Sequence, residues 1–144
     1  MDLNMITNEI QLIGTTVRNI SVDNNIVNVE KESKHSFGLN IHEPYLKQDQ
    51  NSILAQMTID FKVEIEQSER EKCTLQMSVE GAFVSKTDMD KEQFERLVAV
   101  NGATAIIGIA RGKIEAVTAN IFNDGKISIP FVNVINYYQS LLKE

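Results

Sequence analysis

From Ile53 to Ile65 every second residue is apolar: Ile53, Ala55, Met57, Ile59, Phe61, Val63 and Ile65 alternate with Leu54, Gln56, Thr58, Asp60, Lys62 and Glu64. A period of two puts each set on its own face, so this segment predicts a strand with one wet side. Cys73, Leu75, Met77, Val79, Gly81 and Phe83 repeat the pattern, and the polar joint QSEREK between the two runs predicts a hairpin loop. Phe37, Leu39 and Ile41 predict a third, shorter strand that stops near Pro44. Ile10 to Val22 predict a fourth, in which Gly14 and a change of phase near Val17 predict a bulge or bend. The asparagine-rich segment DNNIVNVEKESKH, Asp23 to His35, predicts a long crossing loop. Together these strands predict an antiparallel four-stranded sheet with one apolar face.

After Lys86 the period lengthens to about 3.6 residues. Thr87 or Asp88 is suited to cap a helix running through Phe94 and Leu97, and Asn101-Gly102 is expected to break it. A longer helix, Ala103 to Phe122, follows, and Asn123-Asp124-Gly125 supplies the residues that a left-handed turn prefers. The extended piece KISIPF leads to a final amphipathic segment, Val134 to Leu142, with Tyr137 and Tyr138. Strands followed by helices predict an α+β fold with the helices packed on one face of the sheet, as a single domain over residues 1–144.

At 100° per residue the long helix has two distinct sides. Ile106, Ile109, Ala110, Ile114, Val117 and Ile121 form one, wide enough to cover the sheet. Ala105, Gly108, Gly112, Ala116 and Ala119 form an adjoining side with almost no bulk. A glycine inside a helix costs about 0.5 to 1 kcal/mol relative to alanine, so two on one face suggest something that gains by coming close. That visitor is either another helix backbone, from a second subunit, or a bulky strand side chain of the same chain. A membrane is not expected, because a span needs about 20 nearly uncharged residues and this segment carries Arg111, Lys113 and Glu115 at its centre.

Composition narrows the partners. The net charge of -6, without a Lys/Arg stripe, argues against a nucleic-acid surface. Cys73 is the only cysteine, so no intramolecular disulfide and no four-thiolate zinc site is possible. The opening MDLNMITNEI has no long apolar block, so the expected location is cytoplasmic.

Candidate chemistry is sparse. Nucleophilic catalysis needs a histidine beside a Ser or Cys, and His35 and His42 both belong to the third strand or its flank. Cys73 lies in phase with the apolar series and is expected to be a buried, inert thiol. His42-Glu43 has no third metal ligand at a recognisable spacing, and no glycine-rich phosphate loop is present, so no metal or cofactor is expected. Arg111 has Glu115 four residues on, which predicts an intrahelical pair. Glu64, Glu66, Glu69 and Glu71 surround the hairpin and read as solvated charge.

The order of features resembles the SecB-type export chaperones, from about Glu9 to Leu142. VRNISVDNN resembles the family's first strand and the start of its crossover loop. VEGAF, Val79 to Phe83, resembles the Gly-Gly-Ile-Phe segment that closes the fourth strand. AIIGIARGKI resembles the leucine-phenylalanine-proline-tyrosine-alanine-arginine stretch of the long helix, with Ala110-Arg111 at the alanine-arginine pair. ISIPFVNVINYYQSLL resembles the proline-valine-asparagine-phenylalanine ending, with Asn133 at the asparagine. Gly102 stands where the family usually starts the long helix with proline, and no Cys- and His-containing docking tail follows Leu142.

The resemblance implies a non-enzymatic, ATP-independent holdase that binds unfolded or newly made polypeptides, assembled as a homotetrameric dimer of dimers through its long helices. It places Phe37, Leu39, Ile41, Tyr137 and Tyr138 at the client groove. Asp23 matches an acidic position of the surface that docks the SecA motor, while Asn19 and Gln76 stand at two neighbouring acidic positions of that surface. The shared-helix face would be Ala105, Gly108, Gly112, Ala116 and Ala119. Three functions follow: a chaperone feeding protein export, a chaperone dedicated to the antitoxin of a toxin-antitoxin system, or a small enzyme or ligand-binding protein of the same fold class.

Overall fold

The structure is a computed structural model that describes residues 10–85 and 88–143. Strands β1 (Ile10–Asn24), β2 (Lys34–Ile41), β3 (Tyr45–Gln48), β4 (Ile53–Glu66) and β5 (Lys72–Ser85) precede helices α1 (Lys91–Leu97), α2 (Ala103–Ile121) and α3 (Val134–Leu141). The sheet is antiparallel in the order β1-β5-β4-β2, with β3 also on β4. Five strands therefore stand where four were predicted, but β2 and β3 are one edge interrupted. β2 pairs with the Ile59–Glu66 part of β4 and β3 with Ile53–Gln56, and His42–Pro44 form the jog between them. Pro44 has no N–H to give to a ladder, which is why the pattern ended there and Tyr45–Gln48 were missed. The amide of His42 still reaches the carbonyl of Thr58, at 3.0 Å.

The alternation of β4 and β5 is realised in burial. Ile53, Ala55, Met57, Ile59, Phe61, Val63 and Ile65 are buried, as are Cys73, Leu75, Met77, Val79 and Phe83. β1 follows β5 with register shifts between Leu12 and Gly14 and between Val17 and Asn19, at the two places where the sequence changes phase. The crossing loop is tied down rather than free: Ile26 is buried, and Val27 to Val29 hydrogen-bond Asn123 and Asp124.

The helical layer corrects two expectations. Asp90, not Thr87 or Asp88, caps α1, its side chain accepting from the amide of Glu92; Thr87 lies outside the described residues. Asn101-Gly102 does not break the helix, because Val98–Gly102 form a π-helical turn that joins α1 to α2. Gly102 keeps helical angles, and a Cβ there would lie 2.9 Å from the Phe83 ring. Its glycine serves close approach to β5. Gly81 does the same from the sheet side, where a Cβ would meet Ile106 Cδ1 at 2.6 Å. The joined helix, Lys91–Ile121, is by length and composition long and apolar enough to cross a membrane. Its apolar stripe is already committed to the sheet, with Phe94, Val98, Ile106, Ala110 and Ile114 at 0% exposure. Ile107 and Thr118 are buried beside them, while Ile109, Val117 and Ile121 are half-buried. Gly125, at φ +100, makes the predicted left-handed turn after α2.

Candidate functional site

Between α2 and α3 the chain runs extended along the helical side of the sheet. Ile127 and Ile129 point into the core, and the Thr118 hydroxyl accepts from the Ile127 amide at 2.8 Å. Ile129, Pro130 and Val132 of this strap face Phe37, Gly38 and Leu39 of β2 across an apolar groove of 160 Å³, floored by Phe61 and Lys62. Phe37 is 40% exposed at its mouth, Leu39 is half-buried and Ile41 is buried in the core. Of Phe37, Leu39 and Ile41, expected at a client groove, the first two line this apolar groove, and Ile41 is buried and does not line it.

The second property of the groove is its backbone. β2 pairs with β4 on one side only. Because amides alternate in direction along a strand, and that of His42 points to β4, those of Phe37, Leu39 and Ile41 point outward. The Ile41 amide donates to the Tyr137 hydroxyl at 3.0 Å. Among the described residues nothing accepts from the amides of Phe37 and Leu39 on that side. An apolar groove thus runs beside an unpaired strand edge.

Tyr137 and Tyr138, expected at the client surface, anchor α3. Their rings meet edge to face with centroids 5.5 Å apart. Tyr138 donates its hydroxyl to the Ala99 carbonyl, at 2.9 Å, in the π-helical turn. Burial, with a smaller effect of Tyr137, raises its pKa. Asn133 caps α3 by accepting from the Asn136 amide at 3.0 Å.

Arg111 does not pair with Glu115. Its Nε donates to the Ile129 carbonyl and its Nη2 to the Pro130 carbonyl, each at 3.0 Å, and the guanidinium lies 4.3 Å from the centre of the Phe131 ring. Two charge-assisted bonds in the fixed geometry of a fork outweigh an exposed pair one helical turn away. Glu115 instead accepts from Ser128 at 2.6 Å. Sequence reasoning missed the strap as a groove wall, although the in-phase Ile127 and Ile129 followed by Pro130 marked an extended segment with one buried side.

The opposite face of the sheet is polar. Asn19 faces Ser78, Ser21 faces Gln76 and Asp23 faces Thr74, so Asn19, Asp23 and Gln76 lie on one face of the sheet. Near its centre Asp60 accepts from Ser78 at 2.6 Å and pairs with His42 at 2.6 Å. Burial raises the Asp60 pKa, but bonds from Ser78, His42 and Asn40 and the charge of His42 more than offset it, and the carboxyl sits below its ordinary range. The acid stands between serine and histidine, so His42 has no path to the Ser78 proton and the trio lacks the order a nucleophile requires. Among the described residues no group of three or more His, Cys, Asp or Glu could hold a metal. Cys73 is buried, its thiol pKa raised first by burial and then by Asp23.

On α2, Gly108, Gly112, Ala116 and Ala119 are exposed and Ala105 is half-buried. A Cβ at Gly108 or Gly112 would meet nothing within 4 Å, so among the described residues no strand side chain fills that side. On β1, Ile20 and Val22 are 46% and 39% exposed. They pair with Met77 and Leu75 and so share the helical side of the sheet.

No family model and no curated protein matches the chain. Among solved structures it is similar to a SecB-like chaperone of Mycobacterium tuberculosis in complex with a ChAD peptide from the HigA1 antitoxin, with a TM-score of 0.58 and 10% identity over 86% of this chain and 91% of that one. A protein of unknown function from Streptococcus agalactiae also matches, with a TM-score of 0.45 and 14% identity over 85% of this chain and 98% of that one. The fold is therefore that of an α+β, SecB-like protein.

Proposed function

We propose that this chain is an ATP-independent holdase that captures unfolded or newly made polypeptide along the β2 edge. The observation that carries this reading is the apolar groove beside the outward amides of Phe37 and Leu39. An extended segment laid there gains main-chain bonds from β2 and buries alternate side chains between Phe37, Leu39 and the strap. Such recognition reads backbone and apolarity more than sequence, which suits a holdase. The SecB-like fold supports it, since the Mycobacterium tuberculosis protein of that fold is a chaperone that binds a peptide.

Two client ranges fit. In one the protein feeds secretion from the cytoplasm, with SecA meeting the polar sheet face at Asp23. In the other it serves one antitoxin, and the antitoxin peptide held by the similar structure favours this narrower range. Assembly is proposed as a dimer of dimers, with the uncovered Ala105, Gly108, Gly112, Ala116 and Ala119 side of α2 meeting a second subunit and several grooves adding avidity.

The test is aggregation suppression of several chemically unfolded proteins at a few-fold molar excess, alongside native mass and peptide titration. A general holdase delays them all with little preference. A dedicated one binds a single short peptide far more tightly. Failure to delay any client and to bind any peptide rejects both.

A further inference from the structure

The groove has one wall in a sheet and the other in a segment without regular hydrogen bonding. β2 is held by its ladder to β4 along its whole length. The strap has no ladder, so its place depends on a few fastenings. Ile127 is fixed by Thr118, Ser128 donates to Glu115 of α2 at 2.6 Å, and Ile129 and, at the start of α3, Val134 are buried. Between Ile129 and Val134, where Pro130 and Val132 face β2, Val132 is half-buried while Pro130 and Phe131 are exposed and bury no anchor of their own. Among the described residues Arg111 is the side chain of α2 that hydrogen-bonds at this stretch, holding the carbonyls of Ile129 and Pro130 and lying against the Phe131 ring.

We infer that Arg111 is the positioning residue of the groove: its fork holds the strap at the separation from β2 that an extended peptide needs. The inference rests on the functional reading above. Arginine suits the task because a planar fork meets two successive carbonyls at once, whereas lysine offers a point charge that can follow only one at a time. The Phe131 ring, itself exposed, adds a cation–π contact to the guanidinium at 4.3 Å. The peptide does not touch Arg111 in this scheme. Its affinity changes because a loose wall must be ordered at the moment of binding, at an entropic cost that a preset wall avoids.

The test compares wild type, Arg111→Lys, Arg111→Ala and the core control Val79→Ala, whose residue is fully buried in β5. The probe is a fluorescein-labelled nonapeptide of alternating valine and threonine with a lysine at each end, followed by anisotropy and stopped-flow dissociation. Arg111→Ala is expected to weaken binding about tenfold, mostly through faster release, and Arg111→Lys to recover less than half of that loss. Val79→Ala, though less stable, binds as wild type. The sequence contains no tryptophan, so Phe131→Trp places a single reporter on the strap. Its anisotropy falls when Arg111→Ala is added. Binding unchanged in Arg111→Ala, or weakened equally by Val79→Ala, overturns the inference alone. If wild type binds neither the probe nor unfolded clients, the functional reading fails and takes this inference with it.

Discussion

The backbone amide of Ile41 donates to the hydroxyl of Tyr137 at 3.0 Å, joining two residues 96 positions apart. This bond closes the outward edge of β2 at one end, while among the described residues nothing accepts from the amides of Phe37 and Leu39. Tyr137→Phe strands that amide beside a buried residue and should cost about 1 to 3 kcal/mol, read by urea denaturation. Tyr138→Phe, which frees the Ala99 carbonyl, should cost a similar amount. Neither loss would mean that α3 is not anchored through its tyrosines.

If clients pair with β2, proline at Phe37 should act differently from alanine there. The Phe37 amide points away from β4, so proline removes only an outward donor, a substitution that edge strands tolerate. Phe37→Pro should stay folded by circular dichroism and bind extended peptide about tenfold more weakly than Phe37→Ala. Equal affinities would place the client elsewhere.

The glycines divide by surroundings. At Gly81 a Cβ would enter the space of Ile106, so Gly81→Ala should destabilise by about 1 to 3 kcal/mol. At Gly112 the space is open, and Gly112→Ala should stabilise the separated subunit by about 0.5 to 1 kcal/mol through helix propensity. Thermal unfolding of both variants tests the contrast.

Gly108→Leu and Gly112→Leu carry the assembly proposal. Both should lower the native mass while leaving the far-ultraviolet spectrum unchanged, since neither site contacts the chain's own core. Retention of the full assembly by both would remove α2 from the interface.

The Asp60 carboxyl sits below its ordinary range, so its ionised form is favoured in the folded state. That contribution is fully present above the unfolded pKa and is lost as pH falls through the folded one. Wild type should lose stability below about pH 4 more steeply than Asp60→Asn, and the gap between them should narrow in that range. Parallel curves down to about pH 2 would show that the contacts of Asp60 with Ser78 and His42 add nothing.

Much of the fold was legible along the chain because facing is a local property of a strand. Ile53 to Ile65 and Cys73 to Phe83 each declared a buried side, and Gly14 and Val17 marked the two register shifts of β1. The two-sided character of α2 was equally local, since bulk on one side and its absence on the other follow from helical spacing alone. Other features depended on what lay across space. Asn101-Gly102 looked like a stop until the ring of Phe83 gave the glycine another purpose, and Tyr45–Gln48 became a strand because β4 had an edge left to pair. Arg111 turned from Glu115 to the carbonyls of Ile129 and Pro130, partners 18 and 19 residues away that no helical periodicity can reveal. By itself the sequence determined which residues each element buries. Only the tertiary structure decided that β2 has an edge no other described strand pairs and that the strap stands opposite it, because a groove consists of the distance between segments and that distance is set by packing and long-range hydrogen bonds.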